Sequence, residues 1–548
     1  MVGVETSLRP YFRFFTSIFV VYTTTSFFST ALVHRLSSSA ADNTDSSKLS
    51  VWAISAALSL AEMEFGDDSS KLSVWDKRAA LAEFGDDAAT ATSSSRNLSA
   101  EFFPNNDSPV PFRNLSHSSS NNSFSSHNSS QLLEYNHLIS EDEVIIAEAR
   151  RTNKSPTSIT SYVRAGARPN LHHDPSRVVA AIVTCGGLCP GLNNVVREIT
   201  RSLKINYGAK TVYGVVGGFM GFHVNSKRSK PPIILTPTTV ENIHHTGGTI
   251  LGSARGNFDM NEVINFIKHY SVNQLYIIGG DGTHRAAAVI AEQCIASNLN
   301  VAVAGIPKTI DNDVGIIDRS FGFDSAVEEA VAAIRAAKTE AQSQNAVGVV
   351  KVMGRSSGFI ATHASFASSD VDYVAVPEVP IVLRGGKGML PHLLRRVHKK
   401  GFAVVVLAEG AGEELLGKSA EVDKGGNRKL PAIGDFIKGE IESYFKEESD
   451  EGVDVPVKFI DPSYMVRSVC ANSSDSFLCM QLGQNAVHGA MAGFTAFTVG
   501  LVNNRMVFLP MTELVRKSPR TMNPRGRTWE RIVQLTLQPN TVPEKGDS

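Results

Sequence analysis

The sequence predicts an α/β protein. From Val178 onward, apolar runs of strand length alternate with segments of helical periodicity. The runs are almost continuously apolar, as in parallel strands covered by helices on both faces. About 350 residues of this texture exceed one sheet of ordinary domain size. Two Rossmann-like lobes with mainly parallel sheets and a cleft between them are therefore expected.

In chain order, strands are read at 178–184 (VVAAIVT), 211–218 (TVYGVVGG), 274–280 (QLYIIGG), 300–307 (NVAVAGIP), 347–353 (VGVVKVM), 372–378 (DYVAVPE) and 402–410 (FAVVVLAEG). Helices are read between them at 193–204, 260–270, 284–294, 321–342 and 387–400. In the first, Val196, Ile199 and Leu203 share one face at helical spacing. Residues 455–520 hold further strand-like runs and a helix at 477–493, expected to complete the smaller lobe and return to the larger.

The N-terminal part differs. Residues 14–33 carry no charge and are long enough to span a bilayer, but Ser and Thr dilute them. Residues 1–40 are hydroxyl-rich, nearly free of acids, and contain Arg9, Arg13 and Arg35, which fits an organelle transit peptide as well as a signal anchor. SSKLSVW occurs at 46–52 and 69–75, and EFGDD at 64–68 and 83–87, too few copies for a solenoid. The tract 88–130, rich in Ser and Asn, reads as disordered. The domains expected are a disordered or targeting extension, 1–150, a catalytic region of two lobes, 151–530, and a C-terminal tail, 531–548.

Bulk properties narrow the function. Lys and Arg number 53 against 54 Asp and Glu, so whole-chain charge gives no reason to bind nucleic acid. The five cysteines are scattered with no CxxC pair, which argues against a zinc site or a disulfide framework and fits a reducing compartment.

The chemistry is concentrated in loops at strand ends, where open α/β sheets place their ligands. TCGGLCPGLNN (184–194) joins a strand to a helix. Its glycines let a backbone approach polyphosphate at a helix N-terminus, although tight packing also explains such a turn. It is neither a GxxxxGK[ST] loop nor GxGxxG. Cys185 and Cys189 read as small packing residues. GGTILGSARG (247–256) ends with Arg255, a planar donor suited to phosphate or a base, or else a solvated turn residue. IIGGDGTHRAA (277–287) is the most specific: Asp281 stands among glycines that leave room for oxygen ligands, as Mg²⁺ sites require. GIPKTIDNDVG (305–315) puts Lys308, Thr309, Asp311, Asn312 and Asp313 at another strand end.

With these loops together the sequence resembles the ATP-dependent 6-phosphofructokinases of the plant and protist type. The resemblance spans roughly Tyr162 to Pro510 and adds RAG (164–166), FGFDSAVEEA (321–330), VMGRSSGF (352–359), VPEVP (376–380), LAEGAG (407–412), IDPSYMVR (460–467) and QNAVHGAMAG (484–493). It implies ATP as co-substrate at Gly186, Arg255, Gly256 and Gly280, Asp281, Gly282, Thr283. It implies Mg²⁺ at Asp281, and Asp311 as the base that takes the proton of a sugar 1-hydroxyl. It places fructose 6-phosphate at Thr309, Ile310, Asp311, Met353, Gly354, Arg355, Glu409, Tyr464, Met465, Val466 and Arg467. A homotetramer or dimer, regulation by metabolites and a cytoplasmic location are implied, with a plastid or other organelle as the alternative through the N-terminal extension.

The chemistry of the residues agrees. Asp311 can accept a proton, Thr309 can hold a migrating phosphoryl group, and Lys308 with Mg²⁺ can offset its charge. Glu409 suits sugar hydroxyls, and Arg467 supplies a fork for a phosphate. Where bacterial-type relatives place arginines from a neighbouring subunit, this sequence has Ala346 and Lys458. The competing readings are a pyrophosphate-dependent enzyme and a non-catalytic regulatory subunit. Lys308 is shared with pyrophosphate enzymes, but those carry aspartate where Gly282 stands. A regulatory subunit would have lost Asp281, Asp311 or Arg355, and all are present. No stable membrane association is expected.

Overall fold

The structure, a computed structural model, describes residues 113–114, 138–140, 142–152, 155–417, 421, 429–448 and 455–544. The apolar stretch 14–33 and the duplicated segments lie outside these residues. Within the tract 88–130 only β1 (Arg113–Asn114) is described; it pairs antiparallel with β13 (Phe494–Thr495).

Strands are numbered along the chain. Among the described residues, the larger sheet runs β2 (Val144–Thr152), β3 (Ser155–Arg164), β15 (Arg505–Pro510), β14 (Phe497–Val502), β8 (Ala302–Pro307), β7 (Gln274–Gly279), β4 (Val179–Thr184), β5 (Thr211–Val215), β6 (Ile233–Ile234). Its centre, from β14 to β5, is parallel, and both flanks are antiparallel. The smaller sheet, β10 (Tyr373–Ala375), β11 (Ala403–Ala408), β9 (Val347–Val352), β12 (Val457–Ile460), is parallel throughout. The expected α/β architecture with two sheets is thus present.

The strands form where they do because both of their faces are apolar. Ala180 and Ile182 of β4 point to one side, Ala181 and Val183 to the other, and all four are fully buried. In the smaller sheet, Val350, Val404 and Val406 enter the same core as Ala180 and Ile182, whereas Val349 and Val405 face a separate outer layer. Helix Phe323–Ser343 supplies Ala326, Ala330, Ile334 and Ala337 to that shared core, and helix Ser473–Met491 supplies Leu482, Ala486 and Ala490. One apolar layer therefore lies between the two sheets.

Helix ends follow local chemistry. Asp259 accepts from the amides of Asn261 and Glu262 and starts helix Met260–Tyr270; Gly401, in left-handed backbone, ends helix Met389–Lys400. Val196, Ile199 and Leu203 are all fully buried, as their spacing predicts.

Several boundaries differ from expectation. Helix Ser473–Met491 begins four residues before 477, because Asn472 caps it by accepting from the Asp475 amide at 3.0 Å. Residues 455–520 divide between the sheets: β12 joins the smaller, β14 and β15 the larger. The boundary expected at 150/151 falls inside β2. The one expected at 530/531 falls inside helix Arg527–Thr536, whose Trp529 and Ile532 are buried. Just beyond, the Gln538 side chain accepts from the Val374 amide (2.8 Å) and donates to its carbonyl (3.1 Å), so this segment pairs with edge strand β10 as a further strand would. Among the described residues, no helix is long and apolar enough to cross a membrane.

Candidate active site

The loops that follow β4, β7 and β8 in the larger sheet and β9, β11 and β12 in the smaller one converge. Backbone bonds set their order. The Lys308 amide donates to the Gly279 carbonyl (2.9 Å), and the Glu409 amide donates to the Val352 carbonyl (2.9 Å). Across the sheets, the Ser357 hydroxyl reaches the Asp311 carbonyl at 3.5 Å.

Lys308 is 8% exposed and reaches toward Gly186, where a Cβ would sit 3.4 Å from Nζ. Burial lowers its pKa and Arg255 adds to that, while Cys189, Cys185 and Asp311 oppose it. Gly186 is in left-handed backbone (φ 90°), and its amide is already bonded to the Ala254 carbonyl at 3.0 Å. Its contribution is the missing side chain, not a free N–H for phosphate. The same bond ties the loop to 247–256, and Arg255 comes close to the neighbouring Gly187. Gly191 bears out the packing explanation: at φ 96°, its Cβ would sit 2.6 Å from Cys479 Sγ. Cys185 and Cys189 are buried, as packing residues should be.

Asp281 opens helix Asp281–Ala296, with Gly280 at its cap. Burial first, and then Asp313, push its carboxyl up, with Arg285 pulling against them. Gly282 faces open space: among the described residues, nothing outside its own helix backbone comes within 4 Å of where its Cβ would be. Thr283 packs on Gly279, whose Cβ would fall 2.5 Å from the threonine side chain.

Asp311 is the most perturbed acid of the cluster. Burial pushes its pKa up to about 7, helped by Asp313 and Glu409 and opposed by Lys308 and Arg355. The residue keeps some exposed surface, but its Oδ1 is sealed and has no hydrogen-bond partner among the described residues. The Thr309 hydroxyl donates to Asp313 Oδ1 (2.7 Å) and accepts from the Asp311 amide (3.2 Å). Asn312 sits in left-handed backbone (φ 53°), held there by the Ser320 amide on its Oδ1 at 3.0 Å.

In the smaller lobe, Met353 and Gly354 lead to Arg355. Gly354 (φ 138°) leaves no room for a Cβ, which would lie 2.5 Å from the Ser357 carbonyl oxygen. Burial raises the pKa of Glu409, against Arg355, Lys351 and Arg467, which lower it, and Asp461, which adds to it. Arg467 lies in the short helix Ser463–Ser468 with its guanidinium 4.8 Å from the Tyr464 ring; its Nε is sealed and unpaired among the described residues. Tyr464 is 74% exposed and Met465 is exposed too, but Val466 and Ile310 are buried in the core. Of the two positions read against subunit-shared arginines, Ala346 is fully buried and Lys458 is half-buried in β12, paired with Gly348.

Residues 179–490 match the pattern that defines the Phosphofructokinase family. The chain belongs to that family. It is similar to the ATP-dependent 6-phosphofructokinase 1 of Arabidopsis thaliana, 44% identical over 410 residues, 74% of this chain and 84% of the relative. It is also similar to the chloroplastic ATP-dependent 6-phosphofructokinase 5 of the same plant, 46% identical over 380 residues, 69% of each chain. Among solved structures it resembles phosphofructokinase from Saccharomyces cerevisiae, with a TM-score of 0.50 and 23% identity over 62% of this chain; it spans 45% of that yeast chain.

For a phosphofructokinase fold, sequence reasoning passed over two contributors. Asp313 sits inside the quoted PKTIDND stretch and holds Thr309, yet had no role assigned. Arg520 lies beyond the family match and donates from Nε to the Asn312 carbonyl at 3.0 Å. No motif surrounds it; only the fold brings it to the loop.

Proposed function

We propose that this phosphofructokinase transfers the γ-phosphoryl group of ATP to the 1-hydroxyl of fructose 6-phosphate, giving fructose 1,6-bisphosphate and ADP. The observation that carries the reading is Asp311: a carboxyl with one oxygen sealed and the residue still partly exposed, its pKa pushed up to about 7, at the meeting of the two loop sets. A base so tuned is half-ionised near neutral pH, where general-base transfer works best. Asp311 takes the hydroxyl proton as the sugar oxygen bonds to phosphorus and the bond to ADP breaks. Thr309 and Lys308 hold the transferring group, and alignment does the rest. Arg355 and Glu409 hold the sugar, and the guanidinium of Arg467 supplies the fork for the 6-phosphate.

The acidic pair Asp281 and Asp313 fits Mg²⁺. The charge of Asp313 disfavours ionisation of Asp281, and a divalent cation would remove that conflict. No group of three potential ligands exists among the described residues, so phosphate oxygens and water would complete the shell. The ion would neutralise phosphate charge.

ATP is preferred over pyrophosphate because the space around Gly282 is open where a nucleotide would run, and because relatives over 40% identical are named ATP-dependent. A non-catalytic role is disfavoured by the intact cluster. Assembly as a homotetramer or dimer is part of the same reading and rests on membership of the family. A cytoplasmic location is our reading, with a plastid as the alternative, since one relative is named chloroplastic. The deciding experiment is a coupled assay for fructose 1,6-bisphosphate with ATP and pyrophosphate offered separately. Turnover with ATP alone is expected, and turnover with pyrophosphate alone would overturn the donor assignment.

A further inference from the structure

Residues 517–522 cross both loops that build the site. The Arg520 amide donates to the Asp313 carbonyl (2.6 Å), its Nε to that of Asn312 (3.0 Å), Nη1 to Ile317 (3.2 Å) and Nη2 to Asp318 (3.5 Å). Ser518 Oγ accepts from the Gly315 amide at 2.9 Å, and the Lys517 carbonyl oxygen lies 2.2 Å from where a Gly315 Cβ would be. On the other side, the guanidinium lies 5.1 Å from the ring centroid of Phe359, the first residue of helix Phe359–Ser368. The Met522 amide donates to Glu378 (2.8 Å), whose carboxylate also receives the Gly358 amide at 3.1 Å. Arg355 and Ser357 stand on that same loop.

We propose that Arg520 is a positioning residue for phosphoryl transfer: by holding the carbonyls of 312–318 while lying on Phe359, it sets Asp311 against the sugar-binding loop 353–359. The inference rests on Asp311 being the base. The segment after Asp311 needs holding, because Asn312 is in left-handed backbone. A guanidinium can hold three carbonyls at once, since its donors are fixed in one plane; a lysine ammonium is a point charge on a flexible stem. Loosening the loop lets Asp311 drift from its place against the loop that carries Arg355 and Ser357.

The test uses Arg520→Lys, Ser518→Ala and Asp311→Asn in the full chain, with kcat, both KM values and Tm measured for each. For Arg520→Lys, kcat is expected to fall about 10- to 100-fold, the scale of a misplacement near 1 Å. Both KM values should stay within about threefold, because alignment is lost in the transition state and not in ground-state binding. Ser518→Ala should lower kcat in the same way by less, and it decides the matter if Arg520→Lys does not fold. The proposal is overturned if kcat is unchanged in the folded variant, if both KM values rise in step with the loss, or if the lost activity only tracks a lower Tm, for then Arg520 merely supports the fold. Asp311→Asn separates the two readings. If it keeps wild-type kcat, the base assignment fails, and the positioning role with it. If it is inactive while Arg520→Lys is unchanged, only the positioning role fails.

Discussion

Asp311 is an acid held protonated well above the usual carboxylate range, and this has a cost as well as a use. Its ordinary value is 3.8 and its folded value about 7, so the folded state binds the proton more tightly. The stability this group contributes is present at low pH and is lost as the pH climbs through that window. Asp311→Asn should therefore lower kcat about 10²- to 10⁴-fold. It should also raise Tm at pH 8, with a smaller gain at pH 5; differential scanning fluorimetry at the two pH values checks the sign. Gly282 makes the complementary case. No described residue beyond its own helix occupies the space beside it, so Gly282→Asp should leave Tm unchanged. A carboxylate there opposes the charge of bound nucleotide, and kcat/KM for ATP should drop about 10²-fold or more, as several kcal/mol of like-charge contact implies. A mutant using ATP at wild-type efficiency would remove Gly282 from the donor assignment.

The element scale shows how far sequence alone could go. Central strands such as β4, β7 and β8 were legible because both faces are apolar and their short runs end in Gly or Pro. Flanking strands were not: edge strand β2, VIIAEARRT, and its neighbour β3, SPTSITSYVR, mix charges and hydroxyls and show no continuous apolar run. Helix Ser463–Ser468 is too short to show periodicity, whereas Arg527–Thr536 carries Trp529, Ile532 and Val533 at helical spacing, a signal the sequence reading passed over. Site residues within motifs were legible one loop at a time. Contacts between loops were not, since pairs such as Asp313 with Arg520 are distant in sequence. One such contact is testable. A Cβ on Gly247 would sit 1.7 Å from the Ser468 carbonyl oxygen, at the end of the helix bearing Arg467. Backbone cannot give way cheaply, so Gly247→Ala should displace that helix and raise KM for fructose 6-phosphate about tenfold, with kcat less affected. An unchanged KM would show that the loop yields instead.

At the scale of the molecule, the N-terminal boundary matters to anyone expressing a shorter chain. A cut after residue 137 leaves β2 in place on β3, while a cut after residue 153 strips it away. The first should keep activity and Tm. The second leaves β3 as an open edge, and edges of that kind pair with other chains; a lower Tm and aggregation by light scattering are expected. The apolar layer between the two sheets has a wider consequence. Ile182, Val350, Val404 and Ile334 all belong to it, so neither sheet can melt alone without exposing the other's inner face. Heat should take both down in one cooperative transition, with calorimetric and van't Hoff enthalpies in agreement. A hinge that opened the two sheets apart would expose that layer to water, so the shutting of the site over its substrates is expected of the loops at the strand ends.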